Sequence, residues 1–145
     1  MISNPKFKHL FPVIFWMLFI FWMSTGTFSA QNTSRIIEPV LHFLMPGLMH
    51  QQIAVIHGLI RKCGHITEYF VLGLLLFRYL RWSFTDPRVW RHAIFAAIIV
   101  LLYAIGDEFH QSFVSTRTAS AVDVGIDAIS GILAQAVSVI WHYHG

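Results

Sequence analysis

The sequence predicts an all-α fold, an integral membrane four-helix bundle with an amphipathic interfacial segment between its first and second spans. Three observations carry that expectation. The 145 residues are 56% hydrophobic and only 12% charged, too apolar for an ordinary soluble domain. The apolar residues gather into windows near the roughly 20 residues that a helix needs to cross a hydrocarbon core of about 30 Å. Four of the seven carboxylates, by contrast, crowd into residues 107–127. One domain, 1–145, is expected. The net charge of +3 does not point to nucleic acid, because Lys and Arg are dispersed in small groups and form no basic, aromatic-interleaved face. The single cysteine, Cys63, excludes an intrachain disulfide.

The first span, about 10–29, is an uninterrupted apolar and aromatic run preceded by Lys6 and Lys8. "TFSA" ending at Ala30 would pass as a signal-peptide cleavage site, but the run exceeds a usual signal core, so a retained span is expected. The second, about 62–81, reads "KCGHITEYFVLGLLLFRYLR". Only Tyr69 to Phe77 is cleanly apolar there, too short to cross, so His65 and Glu68 must enter the bilayer with it. The third, about 91–113, carries Asp107, Glu108 and Gln111 near its far end, and the fourth, about 122–142, begins with Asp123 and Asp127. Between spans one and two, Ile37, Val40, Leu41 and Leu44 keep helical spacing, Pro46-Gly47 breaks it, and Ile53, Ile56 and Ile60 resume it. One or two amphipathic helices on the outer membrane surface are expected, with His42, His50 and His57 as interfacial polar residues.

Basic residues set the expected orientation. Lys6 and Lys8 precede span one, and Arg78, Arg81, Arg88 and Arg91 cluster between spans two and three, so both termini are expected in the cytoplasm. Trp82, Trp90 and Trp141 fall at the same interface. Arg35, Arg61, Lys62 and Arg117 lie on the opposite side and oppose the bias.

That topology brings Lys62, His65, Glu68, Asp107, Glu108, Gln111, Arg117, Asp123 and Asp127 together in the outer third of the bundle. Lys62, His65, Glu68 and Tyr69 share a face at three- and four-residue steps. Asp107 lies one turn from Gln111 and Asp123 one turn from Asp127, whereas Glu108 is turned about 100° from Asp107. An ionised group in the bilayer costs about 2.5–3.5 kcal/mol even on permissive scales, so these groups must face one another or a water-filled cavity. Lys62, Arg117 and a protonated His65 could offset three of the five acids, which leaves a surplus suited to acid–base chemistry or to a cation. In the catalytic reading Glu68, Asp107, Glu108 and His65 move protons, while Lys62, Tyr69, Gln111, Arg117, Asp123 and Asp127 hold the substrate. In the metal reading His65, Glu68, Asp107 and Asp123 hold a divalent cation, Mg²⁺ or Mn²⁺ if oxygen ligands dominate. A structural ion-pair network is the plain alternative. Cys63 could be a nucleophile, but a lone thiol near an apolar helix end is more often buried filler.

"KCGHITEYFVLGLLLFRYL" followed by "GDEFHQSFVSTRTASAVDVGIDAISG" resembles the VanZ family of small bacterial membrane proteins. Lys62, His65, Glu68, Tyr69, Asp107, Glu108, Gln111, Phe113, Arg117 and Asp123 fall in matching places over about residues 61–135, and Asp127 stands where the family has Asn or Asp. The chain departs at Ser115-Thr116, where relatives often carry Pro-Gly, and at Ser130, where a glycine is usual and here Gly131 comes next. The resemblance implies a multi-pass protein of the bacterial cytoplasmic membrane that lowers susceptibility to lipoglycopeptides of the teicoplanin type. It implies as partner a membrane lipid, a lipid-linked envelope precursor or the lipoglycopeptide itself. It supplies no reaction and no oligomeric state.

Overall fold

All regular structure among the described residues, 5–144, is helical in this computed structural model. Side chains are described from Phe7 onward, so Lys6 of the expected inner flank lies outside them. The helices are α1 (Pro5–Ser24), α2 (Ala30–Leu44), α3 (His50–Ser83), α4 (Val89–Gln111) and α5 (Ala121–His144), with a 3₁₀ turn at Gly26–Phe28. α1, from Phe7 to Ser24, together with α4 and α5, is long and apolar enough to cross a membrane. α3 is not among these, because Arg61, Lys62, Glu68, Arg78 and Arg81 interrupt its apolar stretch.

Two helices end or begin away from the expected span limits. The first helix stops at Ser24 and the 3₁₀ turn then redirects the chain, with Ser29 fully buried at the start of α2. The second span belongs to a helix that begins at His50 and runs for 34 residues, about 50 Å. Its only glycines ahead of the expected start at Lys62, and just after it, are the isolated Gly58 and Gly64, which a helix tolerates at about 1 kcal/mol each. The expected break does fall where Pro46-Gly47 stands, between Leu44 and His50. There the Gln52 side chain accepts the Met49 N–H at 2.9 Å and starts the new helix.

α3 is the centre of the arrangement: it touches α1, α2, α4 and α5, while α5 also lies along α4. Tyr69, Leu72, Leu76 and Leu80 on α3 meet Ala96, Val100 and Ala104 on α4 in one buried cluster, joined by Val13 and Ile20 of α1. Small residues let the backbones approach, as membrane helices require when lipid offers no hydrophobic drive. A Cβ on Gly73 would lie 2.8 Å from Ala134 Cβ, and one on Gly131 would lie 2.5 Å from Val100 Cγ1. Gln135 Nε2 bridges this contact by donating to the carbonyls of Gly73 at 3.1 Å and Gly131 at 3.2 Å. Thus Gly131 provides the close approach, and the preceding Ser130 is buried with its hydroxyl bonded to Ile126 O within its own helix.

The helix ends fix the relative directions. His9 stacks on Trp82 at 4.7 Å, and Arg81 reaches His142 at 3.5 Å, so α1 begins where α3 and α5 end. At the other end Arg117 donates to the Met23 and Thr25 carbonyls, joining the α4–α5 loop to the end of α1. The outer surface is apolar: Phe11, Phe15 and Leu18 on α1, Phe95 and Leu102 on α4, and Ile132 and Leu133 on α5 are exposed. A patch of that extent suits lipid rather than water.

Candidate functional site

A cavity of about 200 Å³ opens at the end where α1 stops, α3 is near its middle and α4 ends. α2 closes it from the side, and the 112–120 loop contributes Arg117. One part of the wall is apolar: Ile20, Met23, Phe28, Ile37 and Ile60. The other part carries Arg61, His65, Glu68, Asp107, Gln111 and Arg117.

The spacing of α3 makes this wall. His57, Arg61, His65 and Glu68 recur at steps of four, four and three and so lie along one stripe of the helix. α4 presents Asp107 and Gln111 one turn apart, and Gln111 Nε2 donates to Asp107 Oδ2 at 3.1 Å. Glu108, turned away from Asp107, faces the other direction: its Oε2 accepts the Ser120 backbone N–H at 2.8 Å, and it is only 5% exposed. α5 brings Asp127, with 0% exposure, against His65, whose Nδ1 lies 3.3 Å from both Asp127 carboxylate oxygens. The Ser120 hydroxyl and carbonyl cap the first N–H groups of α5, and Asp123 in that first turn sits at the positive end of the helix dipole.

Arg117 holds the cavity mouth together. Its guanidinium donates to the carbonyl of Met23, in the last turn of α1, and to that of Thr25 just past the helix, the latter at 3.1 Å. Burial, followed by the neighbouring charge of Arg61, draws its pKa below the ordinary value, and the guanidinium remains cationic.

Of the residues singled out from the sequence, His65, Glu68, Asp107, Gln111 and Arg117 line the cavity, with Glu108 and Asp127 immediately behind His65. Tyr69 is fully buried below them, its ring parallel to that of His65 at 6.5 Å. Asp123 is half-buried and lies off the wall. Lys62 is exposed, and the basic residue of α3 that reaches the cavity is Arg61, one residue and about 100° away. The expected pairing of Lys62 and Arg117 with acids does not form: among the described residues the only acid paired near the cavity is Asp127, with His65.

The expected metal set of His65, Glu68, Asp107 and Asp123 is also not the one brought together. Among the described residues, His65, Glu108 and Asp127 offer ligand atoms within 4.8 Å of one another, because Glu108 turns toward α5 while Glu68 and Asp107 face the cavity. Cys63 is exposed rather than buried and does not line the cavity. His57 is buried instead of interfacial, and its Nε2 lies 2.9 Å from Thr33 Oγ1, tying α2 to α3. His42 and His50 are exposed and approach edge to face at 5.9 Å.

The family model described as VanZ/LLP1 matches residues 9–142. No curated protein and no solved structure matches the chain.

Proposed function

The chain belongs to the VanZ-like family, as a membrane protein of that family, and from this premise we propose that it lowers susceptibility to lipoglycopeptides of the teicoplanin type. It does so by binding or modifying a lipid-linked or peptidoglycan-related molecule at the acidic cavity. α3 crosses the bacterial cytoplasmic membrane as a fourth span beside α1, α4 and α5, with its polar stripe turned inward. Both termini are cytoplasmic and the cavity faces outward. The cluster of Arg78, Arg81, Arg88 and Arg91 at the opposite end supports that orientation.

One observation carries the reading: a single cavity joins an apolar wall to ionisable groups at the end of the helices. An amphipathic molecule in the outer leaflet presents the same two faces. Its chain would lie against Ile20, Met23, Phe28 and Ile37, and its polar head would meet Arg61, Glu68 and Asp107. If the molecule is modified there, Glu68 or Asp107 is the base and His65 carries the proton, since all three line the same space.

The test is the teicoplanin susceptibility of cells that express the protein, set beside the Glu68→Gln and Asp107→Asn variants at equal membrane levels. Loss of protection in both is expected. Full protection by both variants would reject the acidic cavity as the acting site. A second reading, a non-catalytic scaffold, is favoured by Arg117, whose Nε and Nη2 donate to the Met23 and Thr25 carbonyls and which forms no ion pair with a cavity acid. On that reading the acid variants lose thermal stability before they lose protection.

A further inference from the structure

We infer that His65, Glu108 and Asp127 form a binding site for a first-row divalent cation, Zn²⁺ or Mn²⁺, in the wall behind the cavity. The inference does not depend on what the cavity binds. Three helices supply the three groups: His65 from α3, Glu108 from α4 and Asp127 from α5. Their ligand atoms lie within 4.8 Å of one another. The His65 Nδ1 is 3.3 Å from each Asp127 oxygen, which is long for a hydrogen bond to a carboxylate. It is, however, close to the roughly 3.0–3.5 Å that separates neighbouring ligands around an ion with bonds of about 2.0–2.2 Å.

The polar atoms left over point the same way. Asp127 is completely buried, yet its Oδ1 has no hydrogen-bond partner among the described residues. Glu108 is buried too: the Ser120 N–H occupies Oε2 and orients the carboxylate, while Oε1 has no such partner. Two buried carboxylates face one imidazole, and among the described residues no Lys or Arg, Arg61 and Arg117 included, forms an ion pair with either of them. A divalent ion bound to both carboxylates and to a neutral imidazole would balance the charge and use the two unpaired oxygens.

The donor set selects the class of ion. One nitrogen and two carboxylate groups suit Zn²⁺ or Mn²⁺, whereas Mg²⁺ keeps to oxygen and retains its waters. Three protein ligands leave further positions open, and His65, itself part of the cavity wall, marks the side from which an ion would enter.

The deciding experiment uses the full chain without a polyhistidine tag, purified in detergent and stripped with chelator. Zn²⁺ is added and the metal content and X-ray absorption spectrum are measured; Mn²⁺ binding is followed by electron paramagnetic resonance. We expect one tightly held ion per chain, with one imidazole and otherwise oxygen in the shell. Glu108→Gln and Asp127→Asn should each weaken binding at least about 100-fold, beyond the effect of losing a mere hydrogen-bonding neighbour of a ligand. Glu38→Gln and Asp86→Asn, remote from the three ligands, should stay within about threefold of wild type. A shell with two or more imidazoles would place the ion on His42 and His50 or on the C-terminal histidines, and a sulfur in the shell would place it on Cys63. Either shell overturns the inference, as does the absence of stoichiometric Zn²⁺ and Mn²⁺ binding or undiminished affinity in both variants. If the variants fold poorly, the wild-type spectrum decides alone.

Discussion

At the end of the molecule where α3 gives way to α4, Asp86 accepts hydrogen bonds from Arg88 and from Arg91, the latter at 2.8 Å, and its partners are exposed. At the opposite end, Glu108 and Asp127 are withdrawn from solvent, each with an oxygen left without a hydrogen bond. Both ends contain acids and arginines. They differ in whether the charges meet. At the α3–α4 turn the pairing is local in sequence and wet, so either partner can be rehydrated cheaply. At the cavity end Arg117 donates to backbone carbonyls, Arg61 pairs with no acid, and the acids are held apart on α3, α4 and α5, an arrangement that stability alone does not favour. The proposed function gives the first end its reason: charges left incompletely paired there are available to a bound molecule, whereas those at the other end already satisfy one another.

The contrast fails outright if both ends face the same compartment or if the cavity end faces the cytoplasm. Cys63 is exposed near the cavity end and is the sole cysteine, which makes it a natural reporter. A membrane-impermeant maleimide applied to intact cells should label it almost completely. In a Cys63→Ser background, Thr85→Cys at the other end should react only after lysis. The reverse pattern would overturn the proposed orientation.

Next in size is the energetic difference between the two sets of arginines. Arg117→Ala removes charged donors from the Met23 and Thr25 carbonyls and frees the loop from α1. It should destabilise the detergent-solubilised protein by about 2–3 kcal/mol. Arg88→Ala and Arg91→Ala should stay within about 1 kcal/mol of wild type in the same chemical or thermal unfolding series. Equal losses at both ends would remove the distinction. A smaller, purely functional contrast concerns neighbours on α3: Arg61→Ala should weaken protection against teicoplanin, and Lys62→Ala should leave it unchanged, because only Arg61 lines the cavity.

That last pair also shows how far the sequence could be read. The break at Pro46-Gly47 and the cavity acids Glu68 and Asp107 follow from hydropathy windows and helical spacing, since those signals are local. Register was harder. The expected span about 62–81 lies within a longer helix that starts at His50, so the stripe formed by His57, Arg61, His65 and Glu68 extends ahead of the apolar window, and Arg61 rather than Lys62 falls on it. The missing signal was an absence: no Pro and no paired breaker stands between Pro46-Gly47 and Pro87, so one helix can run through. The contact of Glu108 and Asp127 with His65 lay beyond spacing arguments altogether. It depends on how α4 and α5 rotate about their axes, which the close approaches at Gly73 and Gly131 fix only once the helices pack.

The smallest expected effect belongs to Asp86. Hydrogen bonds from the Arg88 side chain and backbone, and then from Arg91, hold its carboxyl well below the usual carboxylate range. A folded-state pKa lower than the unfolded value near 3.9 stabilises the fold above that value and loses its contribution as the pH falls through the folded one. Asp86→Asn should therefore lower thermal stability slightly and evenly across about pH 5–8, with the difference from wild type shrinking in more acid solution. Added salt should shrink it as well, because the pair is open to solvent. Variants of Glu108 and Asp127 should respond little to salt, since screening ions do not reach buried groups. A strong salt dependence at the cavity end, matching that of Asp86, would mean that water fills the wall between α4 and α5 and that the two ends handle charge alike.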